Sequence, residues 1–185
     1  MIEDFVFHFG HLIQDFDLDK VREQESKVEY TNVFSEGSYQ RMVGESEDIP
    51  PSYFDNHPLQ RSQVEDGPAW EITEYIANIL DWEPHQLGSN FIKLKSGQDF
   101  KWHVDAMCRA SINIILRGFD AHVMFKGYPD PIYYETAILN TSVIHCVPKG
   151  PPQDRVMLKL RVPHSIDGGP TLSYNEVVKK FKLAG

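Results

Sequence analysis

From Arg109 to Leu116 polar and apolar positions largely alternate. Arg109, Ser111 and Asn113 fall on one side; Ala110, Ile112, Ile114 and Leu116 fall on the other. From Arg155 to Val162 the pattern is cleaner, with Arg155, Met157, Lys159 and Arg161 opposed to Val156, Leu158, Leu160 and Val162. A period of two is that of a strand with one face buried. Residues 91–95, 122–125, 132–134, 137–139 and 142–147 are shorter candidates, separated by turn formers. Short strands punctuated in this way predict an antiparallel sandwich or barrel, and a jelly roll of roughly eight strands fits residues 88–165.

The period changes at two places. Over 68–82, Trp70, Ile72, Tyr75, Ile76, Ile79 and Leu80 recur at helical spacing, with Pro68 in the first turn and Pro84 as a stop. This helix is expected to cover one face of the sheet. A second helix is expected over 174–183, with Val177, Val178 and Phe181 on one face. The fold class is therefore mainly β with flanking helices. One domain, 1–185, divides into an N-terminal part (1–87), a β core (88–165) and a C-terminal helix (166–185). The N-terminal part opens on IEDFVFHFGHLI, which alternates as a strand, and continues through a polar stretch at 15–29 and a strand at 28–34. The segment 44–58 has three prolines and reads as a long surface loop of the kind that often serves as a lid.

Composition narrows the function. The 185 residues carry 18 Lys+Arg against 27 Asp+Glu, a net charge of −9, which argues against nucleic acid or an anionic membrane as the main partner. No apolar run is long enough to span a bilayer. The acidic N-terminus does not read as a signal peptide. Two cysteines suit a reducing cytoplasm. Nothing in the sequence bears on oligomeric state.

One constellation carries chemistry. His103-Val104-Asp105 is an H-x-D, and in an extended chain its two side chains project to one side. With 8 His and 14 Asp in the chain, that spacing alone means little, and a surface turn explains it as well. Its setting raises its weight: it follows the turn Ser96-Gly97-Gln98-Asp99 and precedes the alternating strand. His145, a core histidine or a third ligand, ends an apolar run next to a turn. Two imidazoles and one carboxylate form the facial triad of non-haem Fe(II) oxygenases, with three positions open for a cosubstrate and O₂. Arg155, ten residues past His145, opens the cleanest strand. It is either a surface arginine or the bidentate cation that a dicarboxylate cosubstrate needs.

FKWHVDAMCRASINIIL followed by ILNTSVIHCVPKGPPQDRVMLKLRV resembles the core of Fe(II)/2-oxoglutarate-dependent dioxygenases. The nearest branch is that of the aspartyl/asparaginyl β-hydroxylases and free-proline hydroxylases, whose basic residue also stands about ten positions past the second histidine. The likeness covers residues 88–163. It implies a cupin-like double-stranded β-helix, Fe(II) held by His103, Asp105 and His145, and 2-oxoglutarate bound by Arg155 with Ser111 and Asn113 beside it. Asn113 stands where β-hydroxylases carry a histidine. Arg109 resembles the arginine that opens the same strand in that branch, and is expected to bind a substrate carboxylate or to pair with an acidic neighbour. No catalytic group beyond the metal ligands is implied. The reaction implied is O₂-dependent oxidative decarboxylation of 2-oxoglutarate to succinate and CO₂, coupled to hydroxylation of a small amino-acid-like molecule or peptide side chain.

Other readings stay open. A cupin-like metal protein without 2-oxoglutarate chemistry would need the metal but not Arg155. Arg155 and Arg161 form R-x₅-R, which resembles the nucleic-acid demethylases of the same superfamily. A non-catalytic jelly-roll module would need none of these residues. Thiolates from Cys108 or Cys146 would shift the metal towards zinc, but parity sets both off the ligand side. Trp102 is expected in the core, and His8, His11, His57, His85, His122 and His164 read as structural. Tyr128, Tyr133 and Tyr134 either wall a pocket or pack.

Overall fold

The alternating segments become the centre of a sheet, and the two helical segments become its cover. The structure is a computed structural model that describes residues 1–32, 59–105, 108–148, 153–167 and 169–185. In chain order its elements are β1 (Val6–His8), α1 (Leu18–Glu25), β2 (Thr31–Asn32), β3 (Leu59–Gln63), α2 (Gly67–Leu80), β4 (Gly88–Leu94), β5 (Phe100–His103) and β6 (Cys108–Arg117). Then follow β7 (Met124–Phe125), β8 (Thr136–Leu139), β9 (His145–Val147), β10 (Arg155–Pro163), β11 (Ser165–Ile166), β12 (Gly169–Pro170) and α3 (Tyr174–Ala184). The loop expected at 44–58 lies outside the described residues.

Among the described residues, seven strands form one antiparallel sheet in the order β1-β8-β6-β10-β4-β3-β2. A smaller sheet runs β5-β9-β7, and β11 and β12 form a hairpin. Strands β6 and β10 lie side by side at the middle of the large sheet, with Ile112 opposite Leu160 and Ile114 opposite Leu158. Their even-numbered residues share one face with Phe91 and Ile138. That face packs on Ile72, Ile76 and Leu80 of α2, Val177 and Phe181 of α3 and Val21 of α1. The odd face brings Ile92, Ile115, Leu139 and Met157 against Val123, Phe125 and Ile132. The fold is thus a mainly β jelly roll in three layers: helices, large sheet, small sheet. Strands β1, β2 and β3, from the first 87 residues, extend the large sheet at both edges.

Several expectations shift. The polar stretch 15–29 contains helix α1, capped by Asp17, which accepts from the Asp19 and Lys20 amides. It shows no apolar stripe because only Val21 and Glu25 are buried in it. The Glu25 carboxylate is held by Arg117 Nη2 at 2.6 and 2.8 Å and by the Tyr30 hydroxyl at 2.6 Å. The N-terminal alternation is a strand only at Val6–His8, between two short 3₁₀ turns. Residues 132–134 contribute a single bridge, Val123 to Ile132. Trp102 is 37% exposed rather than core, because it points oppositely to its inward neighbour His103. Strands β3 and β5 were hidden by their polar composition.

Gly118 joins this frame to its inner face. It has φ +73°, and a Cβ there would stand 2.7 Å from Arg155 Cα and 2.8 Å from the Asp154 carbonyl oxygen. Both the left-handed backbone and the close approach of β10 require glycine. Gly118→Ala is expected to lower the unfolding free energy by about 1–3 kcal/mol in urea titration.

Candidate functional site

His103 and His145 are directly opposed cross-strand partners on β5 and β9. That pairing stands their rings side by side, with centroids 4.2 Å apart. The Nδ1 of His103 lies 2.6 Å from the Lys101 carbonyl and that of His145 lies 2.8 Å from the Val143 carbonyl. A carbonyl only accepts, so each Nδ1 carries a proton, and in the neutral form of the ring Nε2 keeps the lone pair. Asp105 follows β5, its amide tied to the Thr141 carbonyl. Its Oδ1 lies 3.4 Å from His103 Nε2 and 4.0 Å from His145 Nε2. The three side chains are buried, and their donor atoms fall within 4.8 Å of one another. Two imidazoles anchored through Nδ1 and one carboxylate fit a divalent transition metal.

The electrostatics support the same state. Burial pushes the His145 imidazole down to about 4, reinforced by His103 and opposed by Asp105, so the ring is neutral near pH 7. Burial alone would raise the Asp105 carboxyl, but Lys159 and the two imidazoles outweigh it and hold the group well below the usual carboxylate range. Lys159 Nζ donates to Asp105 Oδ2 at 3.0 Å.

His103 and His145 open into a cavity between the sheets, lined on the large-sheet side by Ser111, Asn113, Arg155, Met157 and Lys159. Phe100, Val123, Leu139 and Val147 supply apolar walls. Ser111 donates to Asn113 Oδ1 at 2.6 Å, and Asn113 Nδ2 donates to the Tyr134 hydroxyl at 3.1 Å. The Arg155 guanidinium stands over the Tyr134 ring, 4.9 Å from its centroid. Arg155 is 2% exposed, and none of its three guanidinium nitrogens has a hydrogen-bond partner among the described residues. A buried cation aimed into a cavity with its donors unused fits a bound anion, and its fork suits a carboxylate.

Not every expected residue arrives here. Arg109 shares the parity of Ser111 and Asn113 but sits near the start of β6, skipped in the register shift between Val162, opposite Ala110, and Pro163, opposite Cys108. It lines a separate groove with Asn140, Ser142, His164 and Tyr174. Arg161, at the far end of β10, lies against Gly88 and lines a groove with Arg61, Trp70 and His85. Cys108 and Cys146 are buried free thiols. Burial raises the Cys108 thiol to about 11, and it donates to the Ala110 carbonyl. Of the tyrosines, Tyr134 lines the cavity while Tyr133 is 56% exposed. The sequence reading assigned no role to Lys159, although it stood in the same alternating row as Arg155. Parity was the signal available.

No protein-family model and no curated protein sequence matches the chain. Solved structures of similar shape include a 2OG-Fe(II) oxygenase family oxidoreductase from Burkholderia pseudomallei, 12% identical over 78% of this chain and 76% of its own, with a TM-score of 0.47. HygX from Streptomyces hygroscopicus, solved with nickel and 2-oxoglutarate bound, is 7% identical over 84% and 80%, with a TM-score of 0.49. A cupin-2 domain from Rhodospirillum rubrum is 10% identical over 82% and 80%, with a TM-score of 0.43. Likenesses this distant leave the chemistry to be read from the residues themselves.

An unpaired buried cation opposes folding. Arg155→Met is expected to raise the unfolding free energy of the ligand-free protein by about 1–4 kcal/mol, the reverse of an ordinary core substitution, as measured by urea unfolding.

Proposed function

We propose that this protein is an Fe(II)- and 2-oxoglutarate-dependent oxygenase that hydroxylates a small amino-acid-like molecule or a peptide side chain and releases succinate and CO₂. The observation that carries the reading is the buried guanidinium of Arg155, unpaired among the described residues, in a cavity that His103 and His145 also line, with Asp105 beside them. Within that superfamily, the ten-residue step from His145 to Arg155 favours the branch of aspartyl/asparaginyl β-hydroxylases and free-proline hydroxylases. Two free thiols and ferrous iron suit a cytoplasmic setting.

In this reading His103, Asp105 and His145 hold the iron, which supplies the redox chemistry with O₂ when bound. Arg155 grips the distal carboxylate of 2-oxoglutarate through its two-pronged donor set and so fixes which end of the molecule reaches the metal. The Tyr134 ring beneath keeps the guanidinium in place. Ser111 and Asn113, bonded to each other and to Tyr134, keep the floor polar. Phe100, Val123, Leu139 and Met157 exclude water from the reacting end. The Nδ1 contacts of both imidazoles hold their Nε2 atoms towards the ion without further reorganisation.

Anaerobic titration of 2-oxoglutarate into the Fe(II) protein tests the proposal. A weak visible charge-transfer band is expected to develop in the wild type and to be lost in His145→Ala. In Arg155→Ala it should require roughly tenfold to hundredfold more 2-oxoglutarate, the loss of charge-assisted hydrogen bonds. Stoichiometric metal with no band in the wild type would leave a metal-binding jelly roll without 2-oxoglutarate chemistry.

A further inference from the structure

Asp105 is held from two sides. Its Oδ1 points between the histidine Nε2 atoms, at 3.4 and 4.0 Å. Its Oδ2 accepts the 3.0 Å hydrogen bond from Lys159. Lys159 shares β10 with Arg155 and lines the same cavity, with its side chain 20% exposed. Assigning the cosubstrate carboxylate to Arg155 leaves this second inward cation without a task. We propose that Lys159 is a positioning residue that restrains Asp105 to give one oxygen, Oδ1, to the metal; the inference rests on the metal-centre reading above.

A carboxylate beside a divalent ion can present one oxygen or two. The Lys159 ammonium engages Oδ2 in a charge-assisted hydrogen bond between two largely buried side chains, where such a bond is strong. Swinging Oδ2 onto the ion would leave a buried ammonium unpaired. The restraint is built into the frame at both ends. Lys159 is in register with Asn113 on β6 and Asn90 on β4, in the middle of the large sheet. The Asp105 amide is bonded to Thr141, and the Asp105 carbonyl accepts from the Cys108 amide. An octahedral ion with two imidazoles and a one-oxygen carboxylate keeps three positions open; a two-oxygen carboxylate leaves two. The same ammonium repels the ion, so Lys159 lowers metal affinity while it keeps the third position available.

Mn(II) titration reads both consequences without turnover. Free-ion electron paramagnetic resonance gives the dissociation constant, and water-proton relaxation counts the exchangeable waters on the bound ion. The wild type is expected to carry about three such waters. Lys159→Met is expected to bind Mn(II) at least about tenfold more tightly and to lose one water. Lys159→Arg should restore wild-type values, since a guanidinium also engages Oδ2. Circular dichroism checks the fold, and if Lys159→Met does not fold, Lys159→Leu carries the same expectation. Three waters and unchanged or weaker Mn(II) binding in the neutral variant would overturn the positioning role. No Mn(II) binding by the wild type would instead overturn the metal centre itself, and the inference with it.

Discussion

The pairing of β5 with β9 is the contact on which the candidate centre depends. It makes His103 and His145 cross-strand partners, a relation that presents two side chains to the same small volume. The rest of the triad follows from that register. Asp105 leaves the end of β5 and is tied to Thr141, in the turn that leads into β9. Each imidazole is locked by a carbonyl two residues earlier on its own chain. A slip of one residue in this pairing would send one ring to the outer surface of the small sheet, where Trp102 already lies partly exposed.

The large sheet explains why the cavity is charged. Its outer face is apolar and closed by three helices. Its inner face, also covered, carries Arg155, Lys159, Ser111 and Asn113 among the apolar residues. A sheet covered on both sides ordinarily carries apolar residues on both. Lys159 is matched by Asp105. Arg155 has only the Tyr134 ring beneath it among the described residues. Departures from the ordinary pattern concentrate at functional sites, where stability is given up for a ligand. Helices α1, α2 and α3 bury the opposite, largely apolar face.

Much of this was legible in the chain. Alternation along β6 and β10 marked two strands and put Ser111 with Asn113 in one row and Arg155 with Lys159 in another; the pairing of the strands brings the two rows to one face. Helical spacing located α2 and α3 to within a few residues, because a buried stripe leaves a strong period. Helix α1 was invisible because its inward positions include a carboxylate, Glu25, paired with Arg117 from β6. Strands β3 and β5 were missed for a related reason: strands rich in polar residues resemble loops. Parity placed Arg109 with Ser111, but parity holds only within an unbroken ladder, and the register shift between Val162 and Pro163 falls at Arg109.

The sequence by itself determined the class of fold, the two faces of the central strands and the residue types from which a metal triad could be drawn. These are properties of local periodicity and side-chain chemistry. Tertiary structure decided which of eight histidines meet, that Arg155 is buried with no hydrogen-bond partner among the described residues while Arg109 faces another groove, and that Lys159 holds the second oxygen of Asp105. Those facts depend on pairing register and on which sheet covers which. Both are settled by long-range contacts whose energies no local pattern records.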